Sequence, residues 1–95
     1  MRISSQQQHF LSSYWHDKNE NCKVFLFGSR VDDHKKGGDI DIMLLSDIKI
    51  HHSEIYKMKL AFFNLFGNQK IDVVSFENND QSAFKNHILN YAQIL

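Results

Sequence analysis

Ninety-five residues with 42% hydrophobic side chains, among them eight Phe, are enough for one compact core and leave no room for a second domain, so 1–95 reads as a single unit. Eleven basic residues balance eleven acidic ones, which removes the overall positive field that long nucleic acids call for; any bound anion must be held locally. The start lacks a secretory h-region, no stretch approaches the roughly 20 apolar residues that span a bilayer, and the lone Cys22 reads as an ordinary free thiol, so a cytoplasmic protein with no membrane partner is expected.

Ser4 and Ser5, followed three residues later by Gln7 and Gln8, form overlapping capping boxes. Phe10, Leu11, Tyr14 and Trp15 then share a helical stripe, which predicts a first helix over about residues 5–17. The polar run Lys18-Asn19-Glu20-Asn21 ends it, and Lys23-Val24-Phe25-Leu26-Phe27 reads as a short strand buried on both faces and closed by Gly28. The polar stretch from Ser29 to Gly38, ending in two glycines, suits a short helical turn and a loop. From Asp39 to Leu45 strand character returns. Alternation puts Asp39, Asp41, Met43 and Leu45 on one face and Ile40, Ile42 and Leu44 on the other.

Ser53 is the expected N-cap of a second long helix over about residues 54–66, with Ile55, Met58, Phe62, Leu65 and Phe66 on one face and Gly67 just past its end. Ile71-Asp72-Val73-Val74-Ser75-Phe76 is a third strand. Asn78-Asn79-Asp80 reads as a turn that also caps a final amphipathic helix marked by Phe84, Ile88, Tyr91, Ala92 and Leu95. The order α-β-(short α)-β-α-β-α gives an α+β fold in which helices pack on a small sheet around one core. Pattern alone leaves the strand directions open.

Asp39 and Asp41, two apart on a strand, project from one face with Cα atoms about 7 Å apart. In an otherwise apolar strand such a pair carries repulsion and desolvation cost unless a cation offsets them, and oxygen-only ligands favour Mg²⁺ or Mn²⁺ over zinc. Asp72 adds a third carboxylate at the start of the third strand. Gly28-Ser29 follows a strand and precedes a helical turn, where the missing Cβ lets a phosphate approach backbone amides and Ser29 adds a hydroxyl donor. Arg30 can pair with a phosphate or lie solvated at the surface. Each piece alone has an ordinary structural explanation; the joint spacing does not.

Phe27-Gly28-Ser29-Arg30, Gly38-Asp39-Ile40-Asp41-Ile42 and Ile71-Asp72-Val73 together resemble the DNA polymerase beta-like nucleotidyltransferase superfamily, and most of all its minimal (MNT) branch. The resemblance implies a nucleotidyltransferase-like fold with a small mixed β-sheet. It implies that Gly28 and Ser29, with Arg30, contact the triphosphate, that Asp39, Asp41 and Asp72 form the catalytic and metal site for two Mg²⁺ ions, and that Asp72 helps position the attacking hydroxyl. Members of the branch often carry Ser before the first Asp of the pair, where this chain has Gly38.

Small members of that branch are often antitoxins paired with a HEPN-domain toxin, and some adenylylate a tyrosine of the toxin. The resemblance therefore implies transfer of AMP from ATP to an acceptor hydroxyl of a HEPN partner, within a homo- or hetero-oligomer. Two alternatives stay open: a module that neutralises such a partner by contact alone, and a small-molecule nucleotidyltransferase that needs a partner subunit. His51-His52 reads as solvated loop residues whose side chains diverge, Lys35-Lys36 as a solvated pair, and Phe62, Phe63 and Phe66 as core at helical spacing with Phe63 off the stripe.

Overall fold

A computed structural model describes residues 1–18, 21–35 and 37–95. The elements are α1 (Ser5–Lys18), β1 (Lys23–Phe27), a 3₁₀ turn (Gly28–Val31), β2 (Ile40–Ser46), α2 (His52–Phe66), β3 (Ile71–Glu77), α3 (Ala83–Leu89) and β4 (Gln93–Ile94). Asn19, Glu20 and Lys36 lie outside the described residues, so the break after α1 and half of the Lys35-Lys36 pair are not addressed.

Of the two capping boxes the sequence offers, the one on Ser4 is made: its Oγ accepts from the Gln7 N–H at 3.0 Å while Gln7 Oε1 accepts from the Ser4 N–H at 3.0 Å. The second long helix is capped two residues earlier than expected. His51 Nδ1 accepts the Ser53 N–H at 3.1 Å, so the helix begins at His52. The rings of His51 and His52 stack, with centroids 4.5 Å apart, instead of diverging, and both remain exposed. The final helix is likewise capped later than the Asn78-Asn79-Asp80 turn, at Ser82, whose Oγ accepts from the Lys85 N–H; Asp80 props that cap through the Ser82 N–H.

The four strands lie in the order β3-β2-β1-β4. β1 runs antiparallel to β2 and to β4, whereas β2 and β3 are parallel, with α2 as the crossover between them. Paired residues share a face of the sheet. Val24, Leu26, Ile40, Ile42, Leu44 and Ile71 form one face, and Leu11 and Trp15 of α1 with Met58 and Phe62 of α2 cover it in a single buried core. Leu65, expected on that face, is exposed, and so is Phe63, expected in the core with Phe62 and Phe66 but lying off their stripe.

The opposite face carries Phe25, Phe27, Asp41, Met43, Leu45, Asp72, Val74 and Phe76. α3 crosses it on the way from the β3 edge to the β4 edge, with the Phe84 ring 6.1 Å from Phe76. β1 is therefore buried fully on only one side: Val24 and Leu26 are enclosed, Phe25 and Phe27 half-exposed. The last helix stops at Leu89 instead of running on to Leu95, because the chain turns to pair Ile94 with Phe25 and Gln93 with Leu26. The sheet thereby gains a fourth strand.

Candidate active site

The sheet register assembles the carboxylates. Parallel pairing sets Asp41 directly beside Asp72, and antiparallel pairing sets Asp41 beside Phe27, so the turn that leaves β1 at Gly28 passes over the start of β2. Asp39 precedes β2 by one residue and shares the parity of Asp41. The three acids thus lie near one end of the sheet face, the end remote from Phe76.

Gly28 lies against Asp41. A Cβ there would stand 2.1 Å from Asp41 Oδ2, and φ is +74°, so both sterics and backbone conformation exclude a side chain. Gly38 is required in the same way: φ is +89°, and a Cβ would lie 2.5 Å from Ser29 Oγ. The loop before Asp39 thus passes close to the hydroxyl of the turn.

The electrostatics follow from the crowding. Burial pushes the Asp41 carboxyl above the ordinary aspartate range, the charges of Asp72 and then Asp39 push it further, and Lys70 partly offsets them. Lys70 Nζ stands 3.5 Å from Asp39 Oδ2 in an exposed ion pair. Among the described residues no three His, Cys, Asp or Glu side chains close on one point that could hold a metal ion, since Asp39 is turned to Lys70 and Asp41 to Gly28. The donor set nonetheless suits a hard divalent cation: all-oxygen carboxylates, mutually repelling, on one open face.

Arg30 does not lie free at the surface. Its Nε and Nη2 donate to Gly38 O at 3.2 and 3.0 Å, Nη2 also to Gln69 Oε1 at 3.2 Å, and Nη1 to Arg2 O at 2.9 Å. Four of its five N–H donors are so directed, leaving, among the described residues, one Nη1 hydrogen for a ligand oxygen. Arg2 and Lys70 are site neighbours that sequence reasoning did not single out. Lys70 is opposite Asp39 only because β3 runs parallel to β2, and Arg2 lies far from the turn in sequence.

A family model described as polymerase beta, nucleotidyltransferase, matches residues 11–95. The chain belongs to this nucleotidyltransferase family. No curated protein sequence matches it. Among solved structures, the nucleotidyltransferase domain superposes on a chain of a mutant of the toxin–antitoxin pair MntA–HpeT, with TM-score 0.72 at 14% identity over 99% of this chain and 72% of that one. A second mutant of the same pair gives TM-score 0.70 at 12% identity, covering 92% and 70%. A complex of tri-AMPylated Shewanella oneidensis HEPN toxin with its MNT antitoxin gives 0.68 at 13%, covering 97% and 71%. At these identities the likeness is one of fold, and it agrees with the α+β nucleotidyltransferase-like architecture read from the sequence. Among the described residues no helix is long and apolar enough to cross a membrane.

Proposed function

We propose that this nucleotidyltransferase domain transfers AMP from ATP to a tyrosine hydroxyl of a HEPN-domain toxin, in the cytoplasm and with Mg²⁺, and so acts as its antitoxin. The observation that carries the reading is the convergence of Gly28 and Ser29 on the Asp39, Asp41 and Asp72 cluster, with Gly28 so close to Asp41 that no side chain fits between them. The AMPylated HEPN toxin found with an MNT antitoxin of like fold supports the choice of acceptor.

In this reading the Gly28–Val31 turn and the Ser29 hydroxyl bind the triphosphate, and Arg30 reaches it through its remaining donor. Asp39 and Asp41, with Asp72, would hold a pair of Mg²⁺ ions, which would supply charge neutralisation at the reacting phosphate. Asp72 orients that hydroxyl. Its proton passes to the Asp72 carboxylate as its oxygen bonds to the α-phosphorus, the α–β phosphoanhydride bond breaks, and pyrophosphate leaves from the turn. The protein contributes chiefly position and charge. Lys70 pairs with Asp39 and would have to give way for Asp39 to ligate a cation.

Mixing the protein with its HEPN partner, ATP and Mg²⁺ and weighing the intact chains tests this. The partner is expected to gain one or more AMP units, and D39N or D41N to abolish the gain. The ion pair between Asp39 and Lys70 favours one rival, a module acting by contact alone. That rival prevails if the partner is silenced at unchanged mass and the Asp variants silence it equally well.

A further inference from the structure

The loop from the 3₁₀ turn to Asp39 turns at two positive-φ glycines, Gly37 and Gly38, and among the described residues it is tied internally where the Lys35 N–H donates to Asp32 O, the His34 N–H to Asp32 Oδ1 and the Arg30 guanidinium to Gly38 O. A cross-brace from the N-terminal segment adds to these ties. The Arg2 guanidinium is spread over three backbone carbonyls at both ends of the loop: Nη2 donates to Ser29 O at 2.8 Å, Nε to Asp32 O at 2.8 Å and Nη1 to Gly37 O at 3.0 Å. The brace is reciprocal. The Arg2 N–H donates to Arg30 O at 2.7 Å, and Arg30 Nη1 donates back to Arg2 O.

Fixing a carbonyl also fixes an amide, because each peptide is planar and trans, with C=O and the next N–H pointing oppositely. Arg2 on Ser29 O and Gly37 O therefore turns the N–H groups of Arg30 and Gly38 away from itself. Arg30 on Gly38 O does the same for the Asp39 N–H. These three amides flank Ser29 and the first catalytic carboxylate. Amides held in place are what an anion-binding turn needs, and a guanidinium fork can hold carbonyls that lie at separate points.

We propose that Arg2 is a positioning residue of the nucleotidyl-transfer site, holding the Ser29 turn and the Gly37-Gly38 hinge in register so that Arg30, Gly38 and Asp39 present their amides to the triphosphate. This rests on the functional reading above. Arg2 touches neither nucleotide nor acceptor; it acts through the backbone.

The test combines amide NMR of the full chain with transfer kinetics on the HEPN partner, for wild type, R2A and R2K. In the wild type, Mg²⁺-ATP is expected to shift the Arg30, Gly38 and Asp39 amides. R2A is expected to lose that response, to speed hydrogen exchange at the same amides, and to raise KM for ATP at least about tenfold while remaining folded by its core resonances. Guanidinium ion, well below denaturing concentration, should restore part of the affinity in R2A and none in wild type. R2K should recover little, since an ammonium donates from a single point and cannot span carbonyls at both ends of the loop as the guanidinium fork does. A wild type that neither binds Mg²⁺-ATP nor transfers AMP overturns the functional reading and the proposal with it. If the wild type does both, R2A with KM within twofold of wild type, or a loss accounted for by unfolding and untouched by guanidinium, overturns the role of Arg2 alone.

Discussion

Asp41, in the candidate site, is placed at a cost to the fold. Its pKa in the folded chain is raised, first by burial and then by Asp72 and Asp39, with Lys70 opposing. Relative to the unfolded chain, the folded state therefore holds the Asp41 proton more tightly. That contribution to stability is fully present below the unfolded aspartate pKa and is lost as pH rises through the raised folded value. At neutral pH the charged Asp41 is a burden that a bound cation would relieve. Asp41→Asn is thus expected to raise Tm at neutral pH, in metal-free buffer, by some part of the roughly 4–8 °C that 1 kcal/mol represents in a domain of this size, because solvent screens a half-exposed group. The gain should vanish in acid, where aspartate is neutral as well. Thermal melts of both proteins at the two pH values decide it; a neutral-pH Tm below wild type contradicts the electrostatic account.

At the scale of elements, α3 is the instructive case. Seven residues are too few for a helix to persist on its own propensity. It is held from its approach turn: Lys85, only 6% exposed, extends Nζ back to Asn78 O and Asp80 O, each at 2.7 Å, while Ser82 caps the first turn. Lys85→Met keeps the apolar stem but strands two carbonyls, and should cost about 1–3 kcal/mol, read as a lower urea midpoint at unchanged m-value. A midpoint within error of wild type would mean that the lysine is dispensable to the turn. The sequence hides this role, since a lysine on an amphipathic helix ordinarily faces water. It hides β4 for a different reason. Two residues have no period to read, and the spacing of Phe84, Ile88, Tyr91, Ala92 and Leu95 continues a helical rhythm that the chain abandons at Leu89 to pair with Phe25 and Leu26.

For the whole molecule, the core between the sheet and the α1–α2 layer carries the fold. Phe62 is fully enclosed there, its ring 5.8 Å from that of Phe10 and 4.8 Å from that of Phe66. A domain of this size has of the order of 5–15 kcal/mol in hand. Phe62→Ala is expected to remove about 3–5 kcal/mol, whereas Phe63→Ala, on the exposed side of the same helix, should stay within about 0.5 kcal/mol of wild type. Denaturant titration of the two variants separates them, and equal losses would place the core elsewhere.

Local chemistry was enough to place α1, β1, β2, α2 and β3 and to nominate the candidate site residues: strand periodicity put Asp39 and Asp41 on one face, glycine marked the turn at Gly28, and the capping box on Ser4 started α1. These rest on interactions within a few residues, so the order of residues encodes them. Tertiary structure alone decided that β2 and β3 run parallel, which sets Asp72 beside Asp41 and Lys70 beside Asp39. It also decided that Arg2 reaches Ser29, Asp32 and Gly37, and that α3 yields to a fourth strand. Contacts such as these join residues about 20 to 70 positions apart, and no local rhythm records which distant partner a carbonyl, a carboxylate or a strand edge will find once the core has closed.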